Sequence, residues 1–177
     1  MHSEKVYKLK IGYGVFIMFE VYTVSFFGHR YMDYFRIAED KVEDLIYKLL
    51  KEHNYVEFLV GRDGDFDQIA TSAVLKAKHS YAEHRCDITW VMPYEKAEYN
   101  ENAEDFNKYY GYVEVCSESA KVHPKQAIQV RNRYMVEKSD LIVFWVERNS
   151  GGAYHTMKYA VKQEKNIVNL AEDDKDR

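Results

Sequence analysis

Residues 141–146 read Leu-Ile-Val-Phe-Trp-Val, and this unbroken apolar run is the feature that most narrows the choice of fold. A strand that is apolar at every position must be covered on both faces, which is typical of the central strands of parallel sheets. Residues 21–27 and 55–60 are mostly β-branched and aromatic, as buried strands are. We therefore expect a sheet that lies between two layers of helices.

Amphipathic segments alternate with these runs. In Ala38–His53 the apolar residues recur at the spacing of one helical face. We expect further helices near residues 67–79, 123–138 and 153–164, and further strands near 87–92, 112–115 and 167–170, while 94–110 form either a helix or a long loop. Alternating strands and helices predict an α/β fold, here a Rossmann-like three-layer sandwich with a mainly parallel central sheet.

The first twenty residues do not fit this alternation. We expect residues 1–20 to form an N-terminal extension, with an extra edge strand, and residues 21–177 to form a single domain. The apolar stretch Ile11–Phe19 ends at Glu20 and is too broken for a membrane span. It also lacks the small-residue cleavage site of a signal peptide. The sequence thus indicates no membrane association.

Composition limits the partners. The formal net charge of -4 and the pI of about 6.0 argue against nucleic acid, since non-specific binding needs a basic surface. The two cysteines, Cys86 and Cys116, match no zinc spacing and are expected to be reduced thiols, which favours a cytoplasmic location. Asp63, Asp65 and Asp67 lack the glutamate that completes a calcium loop. We therefore expect neither a bound metal nor another cofactor.

Glycine turns follow three of the expected strands, at residues 28, 61–64 and 151–152. The carboxyl ends of parallel strands meet at one edge of the sheet, where α/β proteins bind their ligands. Arginines lie near these turns in the sequence, so the ligand is expected to be anionic. The residues that we expect to contact it are Gly28, His29, Arg30, Gly61, Gly64, Asp67, Arg131, Ser150, Gly151, Gly152 and Thr156.

Individual roles follow from residue chemistry. Gly151 and Gly152 open a helix and let free backbone N–H groups approach a phosphate. Arg131 is expected to neutralise that phosphate. Asp67 is expected to cap the helix that follows the second strand, and Asp63 or Asp67 to contact a ribose hydroxyl.

Three motifs resemble the SLOG superfamily, the Rossmann-like domains related to the Lonely Guy phosphoribohydrolases and to the DNA-processing protein Smf/DprA. They are Phe27-Gly-His-Arg30, Val60-Gly-Arg-Asp-Gly-Asp-Phe-Asp67, and the block from Arg131 through Ser139-Asp140 to Ser150-Gly-Gly152. More narrowly, the chain resembles small bacterial SLOG proteins of the DUF1273 type, over about residues 21–170. The resemblance implies a nucleotide, nucleotide-sugar or second messenger as ligand, and a homodimer.

The resemblance also bears on catalysis. The phosphoribohydrolases use an arginine in an Arg-Lys-x-x-Met motif and a glutamate in a Gly-Gly-x-Gly-Thr-x-x-Glu motif. Arg131 and Met135 match the first motif, but Lys158 stands where the glutamate of the second should be. An oxocarbenium-like transition state needs a nearby carboxylate, which a lysine cannot supply. Binding or sensing of the ligand is therefore favoured over hydrolysis, and no catalytic residue is assigned.

Two alternatives remain open. The first is a hydrolase of N-glycosidic or phosphoribosyl bonds with a variant active site, in which Glu114, Glu118 or Asp140 replaces the missing glutamate. The second is a scaffold or DNA-associated protein that has kept the fold without a ligand.

Overall fold

The computed structural model describes residues 6–11 and 15–172, which form a sheet with helices on both sides. The strands are β1 (Val6–Ile11), β2 (Val15–Gly28), β3 (Tyr55–Val60), β4 (Cys86–Met92), β5 (Gly111–Val115), β6 (Leu141–Trp145) and β7 (Asn166–Asn169). The helices are α1 (Phe35–Glu52), α2 (Asp65–Tyr81), α3 (Ala97–Glu101), α4 (Ala103–Tyr110), α5 (Pro124–Lys138) and α6 (Gly151–Lys162). This arrangement confirms the expected Rossmann-like α/β fold.

The sheet order places a crevice beside β2. The strands run β5-β4-β3-β2-β6-β7, and all neighbours in this row are parallel. The chain moves outward from β2 to β5 on one side and then returns to place β6 on the other side of β2. Loops that leave β2 and β6 therefore diverge, and such a switch point is where open α/β sheets bind ligands.

Each central strand supplies side chains to two separate cores. In β3, Val56, Phe58 and Val60 pack in the core that includes α1 and α2. Leu59 of the same strand packs in the core that includes α5 and α6. Side chains of a strand alternate between the faces of the sheet, so a strand covered on both faces must be apolar at nearly every position. The three-layer arrangement thus explains the apolar runs in the sequence.

Several element boundaries differ from the expected ones. Helix α2 begins at Asp65 with Gly64 as its N-cap, and no side chain caps it. The expectation that Asp67 is the N-cap is therefore wrong, because Asp67 already lies in the first helical turn. Residues 94–110 contain the two short helices α3 and α4, and α6 begins at Gly151, two residues earlier than expected.

The expected N-terminal extension contributes a strand. β1 pairs in an antiparallel register with residues 15–20 of β2. The expected boundary at residue 20 falls inside β2, and the division into extension and domain remains a prediction, since residues 1–5, 12–14 and 173–177 lie outside the described residues. Among the helices within the described ranges, none combines the length and apolar character that crossing a bilayer requires.

Candidate functional site

A cleft of about 300 Å³ opens at the carboxyl edge of the sheet, at the switch point beside β2. We call it the rim cleft. It is lined by residues of all three expected glycine loops and by the inner face of α5. The expected site residues that line it are Gly28, His29, Arg30, Gly61, Gly64, Asp67, Arg131, Gly151 and Gly152. Ser150 and Thr156 do not line it. That any of these residues contacts a ligand remains a prediction.

Two of the glycines are needed for packing inside the protein. A Cβ atom on Gly28 would overlap Phe66 of α2 and lie 2.5 Å from its Cγ. A Cβ on Gly61 would lie 2.8 Å from both Arg131 Nη1 and Asp67 Oδ2. Glycine at these positions lets the ends of β2 and β3 approach α2 and the buried charges closely. Packing therefore explains these two glycines without a ligand.

The glycines that open α6 face open space instead. Nothing lies within 4 Å of a Cβ placed on Gly151 or Gly152, and Gly151 has a φ of 90°, which favours glycine. Ser150 is the N-cap but makes no side-chain cap hydrogen bond. Thr156 donates to Gly152 O within α6 and accepts from Asn132 Nδ2, so it joins α5 to α6. The first N–H groups of α6 are thus free to meet an anion.

Arg131 is buried and already paired. Its side chain is 4% exposed, and Nη2 donates to Asp63 Oδ2 at 3.0 Å while Nη1 donates to Val91 O at 3.0 Å. Lys96 binds the other carboxylate oxygen of Asp63, also at 3.0 Å. Burial alone would raise the pKa of Asp63, but the charge of Arg131 and the contact with Lys96 hold that pKa below its usual value. Arg131 is therefore a buried part of the cleft wall, and Asp63 largely neutralises the charge of its guanidinium.

Asp67 lies in the wall of the rim cleft, half-buried. Its Oδ2 accepts the backbone N–H of Asp63 at 2.9 Å, which fixes the loop between β3 and α2. Burial raises the pKa of Asp67, although the nearby Arg131 opposes that effect. The side chain thus organises the loop, and contact with a ribose remains a prediction.

Arg30 is the exposed cation of the rim cleft. Its backbone carbonyl accepts the N–H of Asp65, but no acidic side chain of the described residues forms an ion pair with its guanidinium. Unlike Arg131, it therefore retains a charge that is available to an anion in the cleft.

Asn132 is a cleft residue that the sequence reasoning missed. It is 8% exposed and lines the rim cleft, and its Oδ1 has no hydrogen-bond partner among the described residues. A buried polar atom left unpaired costs about 1–3 kcal/mol. The only available signal was its position next to Arg131, because a helix turns by about 100° per residue and both side chains can face the same crevice.

His29 positions the loop between β6 and α6. Its Nε2 accepts the backbone N–H groups of Glu147 at 3.2 Å and Arg148 at 3.3 Å, which requires an unprotonated Nε2. Burial lowers the pKa of His29, and the charge of Arg148 lowers it further, against a smaller opposing effect of Glu147. The neutral imidazole thus holds the loop that leads to Gly151.

This arrangement predicts a pH dependence of stability. Because the pKa of His29 is lower in the folded protein, the unfolded chain binds a proton more readily between the two pKa values. The stabilisation is complete above about pH 6.5, the ordinary pKa of histidine, and is lost as the pH falls through the folded value. Urea unfolding at pH 7.5, 6.5 and 5.5 should show the loss. In His29→Gln this part of the pH dependence should vanish, and an unchanged profile would contradict the assignment.

The carboxylates considered as replacements for the missing glutamate lie outside the rim cleft. Glu114 forms an ion pair with Lys138 at 3.2 Å. Asp140 directly precedes β6, at the opposite edge of the sheet, and its Oδ2 accepts the backbone N–H of Thr23 in β2 at 2.8 Å. Glu118 accepts from a cysteine thiol, and Lys158 is exposed on α6. The geometry therefore gives no support to a hydrolase that uses any of these three acids.

The cysteines and the acidic residues form no metal centre in the part of the chain that the structure describes. Cys86 and Cys116 are free and buried. Burial raises the pKa of the Cys86 thiol to about 11, which disfavours the reactive thiolate.

A second and larger cleft, of about 740 Å³, lies between α2 and the α3–α4 segment. We call it the aromatic cleft. Its lining includes Arg62, Phe106, Tyr109 and Tyr110. Arg62 forms an ion pair with Glu98 at 2.5 Å, and its guanidinium lies 4.8 Å from the ring centre of Phe106. Burial raises the pKa of Tyr110 to about 12, so its phenol is neutral. The sequence does not predict this cleft, because residues 94–110 show no pattern that distinguishes a helix from a long loop.

No protein-family model and no curated protein matches this chain. Among solved structures, DNA processing protein A (DprA) from Streptococcus pneumoniae is similar, with a TM-score of 0.60 and 18% identity over 83% of this chain and 49% of that chain. DNA processing protein A from Helicobacter pylori, described for its single-stranded DNA binding mode, gives a TM-score of 0.58 and 17% identity over 82% of this chain and 63% of that chain. The chain thus spans less than two thirds of either protein.

These similarities concern the fold. They show that this chain shares its fold with DprA, whereas membership of the SLOG superfamily and the links to the Lonely Guy enzymes and to DUF1273-type proteins remain predictions.

Proposed function

We propose that the rim cleft binds the phosphate of a nucleotide-derived ligand, and that the protein senses this ligand rather than converting it. The observation that carries the proposal is the open N-terminus of α6, where Gly151 and Gly152 leave the backbone N–H groups unobstructed at the cleft. Such a terminus favours an anion through its free donors and its dipole. Nucleotides, nucleotide-sugars and second messengers all carry the required phosphate.

Two side chains support this assignment independently of the helix. Arg30 offers a cation that is not used within the described protein. The buried Oδ1 of Asn132 lacks a donor, and a ribose hydroxyl would supply one. A ligand that carries both a phosphate and a sugar therefore complements the cleft.

Sensing is preferred to hydrolysis because Glu114, Glu118 and Asp140 lie outside the cleft. The carboxylates that do line it, Asp63 and Asp67, are engaged by Arg131 and by backbone donors. We further propose, from the resemblance and the cysteine content, that the protein acts in the cytoplasm as a homodimer.

Substitutions at Gly152 test the proposal. The open space beside this residue accepts a side chain, and Gly152→Asp would place a carboxylate at the expected phosphate position. We expect binding of AMP, ADP-ribose or pyrophosphate to weaken at least about 100-fold in calorimetric titration, since like charges in contact cost several kcal/mol. Folding should be unaffected, because an acid in the first helical turn is favourable.

Gly152→Ala is the matched control, since it adds a Cβ without charge and should change affinity much less. Equal affinity of Gly152→Asp and the wild type would contradict the rim-cleft assignment. Failure of the wild type to bind any of these probes would contradict the proposed function itself.

Single-stranded DNA is a second candidate ligand. Tyr31 is 76% exposed beside Arg30, and Tyr34 and Phe35 are exposed nearby. Exposed rings next to a phosphate site resemble the stacking platforms that bind single strands. This observation agrees with the binding described for the Helicobacter pylori protein. Oligothymidylate is therefore included in the titrations, and binding of the oligonucleotide without binding of any mononucleotide would select this candidate.

A further inference from the structure

The aromatic cleft differs from the rim cleft in size and chemistry. Its volume of about 740 Å³ lies within the usual range of small-molecule sites, roughly 300–1,000 Å³. Its lining combines the rings of Phe106, Tyr109 and Tyr110 with the polar side chains of Gln68 and Ser72. Aromatic faces with a few hydrogen-bonding groups are suited to a flat heterocycle.

The charges of this cleft argue against a second phosphate. Arg62 is held by Glu98 at 2.5 Å and lies over the rings of Trp90 and Phe106. Lys96 is held by Asp63 at 3.0 Å. Both cations that line the cleft are therefore committed to acidic partners, so the cleft complements an uncharged part of a ligand.

The two clefts adjoin each other. Gly61 and Asp67 line both of them. Gly61 has no side chain, and the Oδ2 of Asp67 is engaged by the backbone N–H of Asp63 at 2.9 Å. A single extended molecule that lies across these two residues would therefore contact both clefts.

We propose that the aromatic cleft holds the nucleobase of the ligand whose phosphate lies in the rim cleft, an inference that rests on the proposed function. The base stacks on Tyr109, and Gln68 and Ser72 contact its polar edge. The ligand class is thus a nucleotide recognised at both ends, rather than a sugar phosphate or a free phosphate.

A pair of tyrosines allows a matched experiment. Tyr109 is 51% exposed and packs edge-on against Tyr110, with ring centres 4.9 Å apart at 83°. Tyr47 on α1 lines neither cleft, is 52% exposed and packs edge-on against Tyr81, at 5.9 Å and 73°. We would titrate Tyr109→Ala and Tyr47→Ala calorimetrically with the four nucleoside monophosphates and with pyrophosphate. The two variants lose a similar ring, one inside the aromatic cleft and one outside it.

We expect Tyr109→Ala to weaken the binding of the best nucleoside monophosphate about tenfold, as the loss of one stacking contact does. Its affinity for pyrophosphate should not change, and Tyr47→Ala should match the wild type for every probe. Ser72→Trp, which fills the cleft from an exposed position on α2, should also weaken the binding of the monophosphate and leave that of pyrophosphate unchanged. It replaces Tyr109→Ala as the test if that variant folds poorly.

Other outcomes would overturn the inference. If Tyr109→Ala and Ser72→Trp bind the monophosphate as tightly as the wild type while Gly152→Asp does not, the base lies elsewhere and only the proposed function stands. If they weaken monophosphate and pyrophosphate equally, the cleft has no role specific to the base. If the wild type binds neither probe, the proposed function fails, and this inference fails with it.

Discussion

Replacing Arg131 by methionine should lower the free energy of unfolding by about 3–5 kcal/mol, the usual cost of removing one member of a buried ion pair. Methionine retains much of the apolar length of arginine, so the effect reports mainly the lost guanidinium. Val91 O would lose a donor, and Asp63 would keep only Lys96 as its partner. Asp67 would lose the positive charge that opposes the rise of its pKa.

Urea unfolding followed by circular dichroism measures this change. Arg133→Met is the control, because Arg133 lies on the same helix but is exposed, with its guanidinium over the ring of Tyr159. It should cost less than about 1 kcal/mol. A double variant, Arg131→Met with Asp63→Asn, should lose less than the sum of the single losses, because the two side chains interact directly. Equal stability of Arg131→Met and Arg133→Met would refute the structural role of Arg131.

The second large effect is expected at Gly28. Gly28→Ala should destabilise the protein by about 1–3 kcal/mol or more, because the new methyl group overlaps Phe66 in a filled core. Phe66 is fully buried and contacts both Phe26 and Trp145, so it has little room to move. The strain falls on the contact between the end of β2 and the start of α2, which also forms one wall of the rim cleft.

Gly152→Ala provides the comparison for this prediction too. It makes the same chemical change at a helical position with open space around it, where alanine favours the helix. Its midpoint of thermal unfolding should equal or exceed that of the wild type, whereas that of Gly28→Ala should fall clearly. If both variants melt like the wild type, Gly28 does not serve packing, and its position at the cleft needs another explanation.

Local sequence pattern was enough to predict most elements of this fold. Burial on particular faces explains the apolar runs at β2, β3 and β6 and the amphipathic pattern of α1. Whether a residue is buried is reflected in its own side chain, so these patterns can be read within a short segment. The prediction was weakest for residues 94–110, where two helices of five and eight residues are too short to show a helical period. The aromatic cleft, which these helices border, was missed for that reason.

The candidate site shows a similar division. The glycine loops were recognised because each follows an expected strand, and the carboxyl ends of parallel strands meet at one edge of the sheet. The separate roles of these glycines could not be predicted. Gly28 must lack a side chain because Phe66, 38 positions later in the chain, packs against it, whereas Gly152 has open space beside it. Arg131 was expected to neutralise a phosphate, but its ion pair with Asp63 was not predicted, because the two residues lie 68 positions apart in the chain. No spacing rule connects such residues.

The sequence by itself determined the class of fold, and it predicted the carboxyl edge of the sheet as the place of the candidate site and the loops that line the rim cleft. These follow from the alternation of strands and helices and from the common direction of parallel strands, both of which are properties of short segments. The tertiary structure decided the strand order that opens the crevice beside β2, the pairing that buries the charge of Arg131, and the contact of the two clefts at Gly61 and Asp67. These features depend on distances between residues far apart in the chain, and such distances exist only after the helices have packed on the sheet.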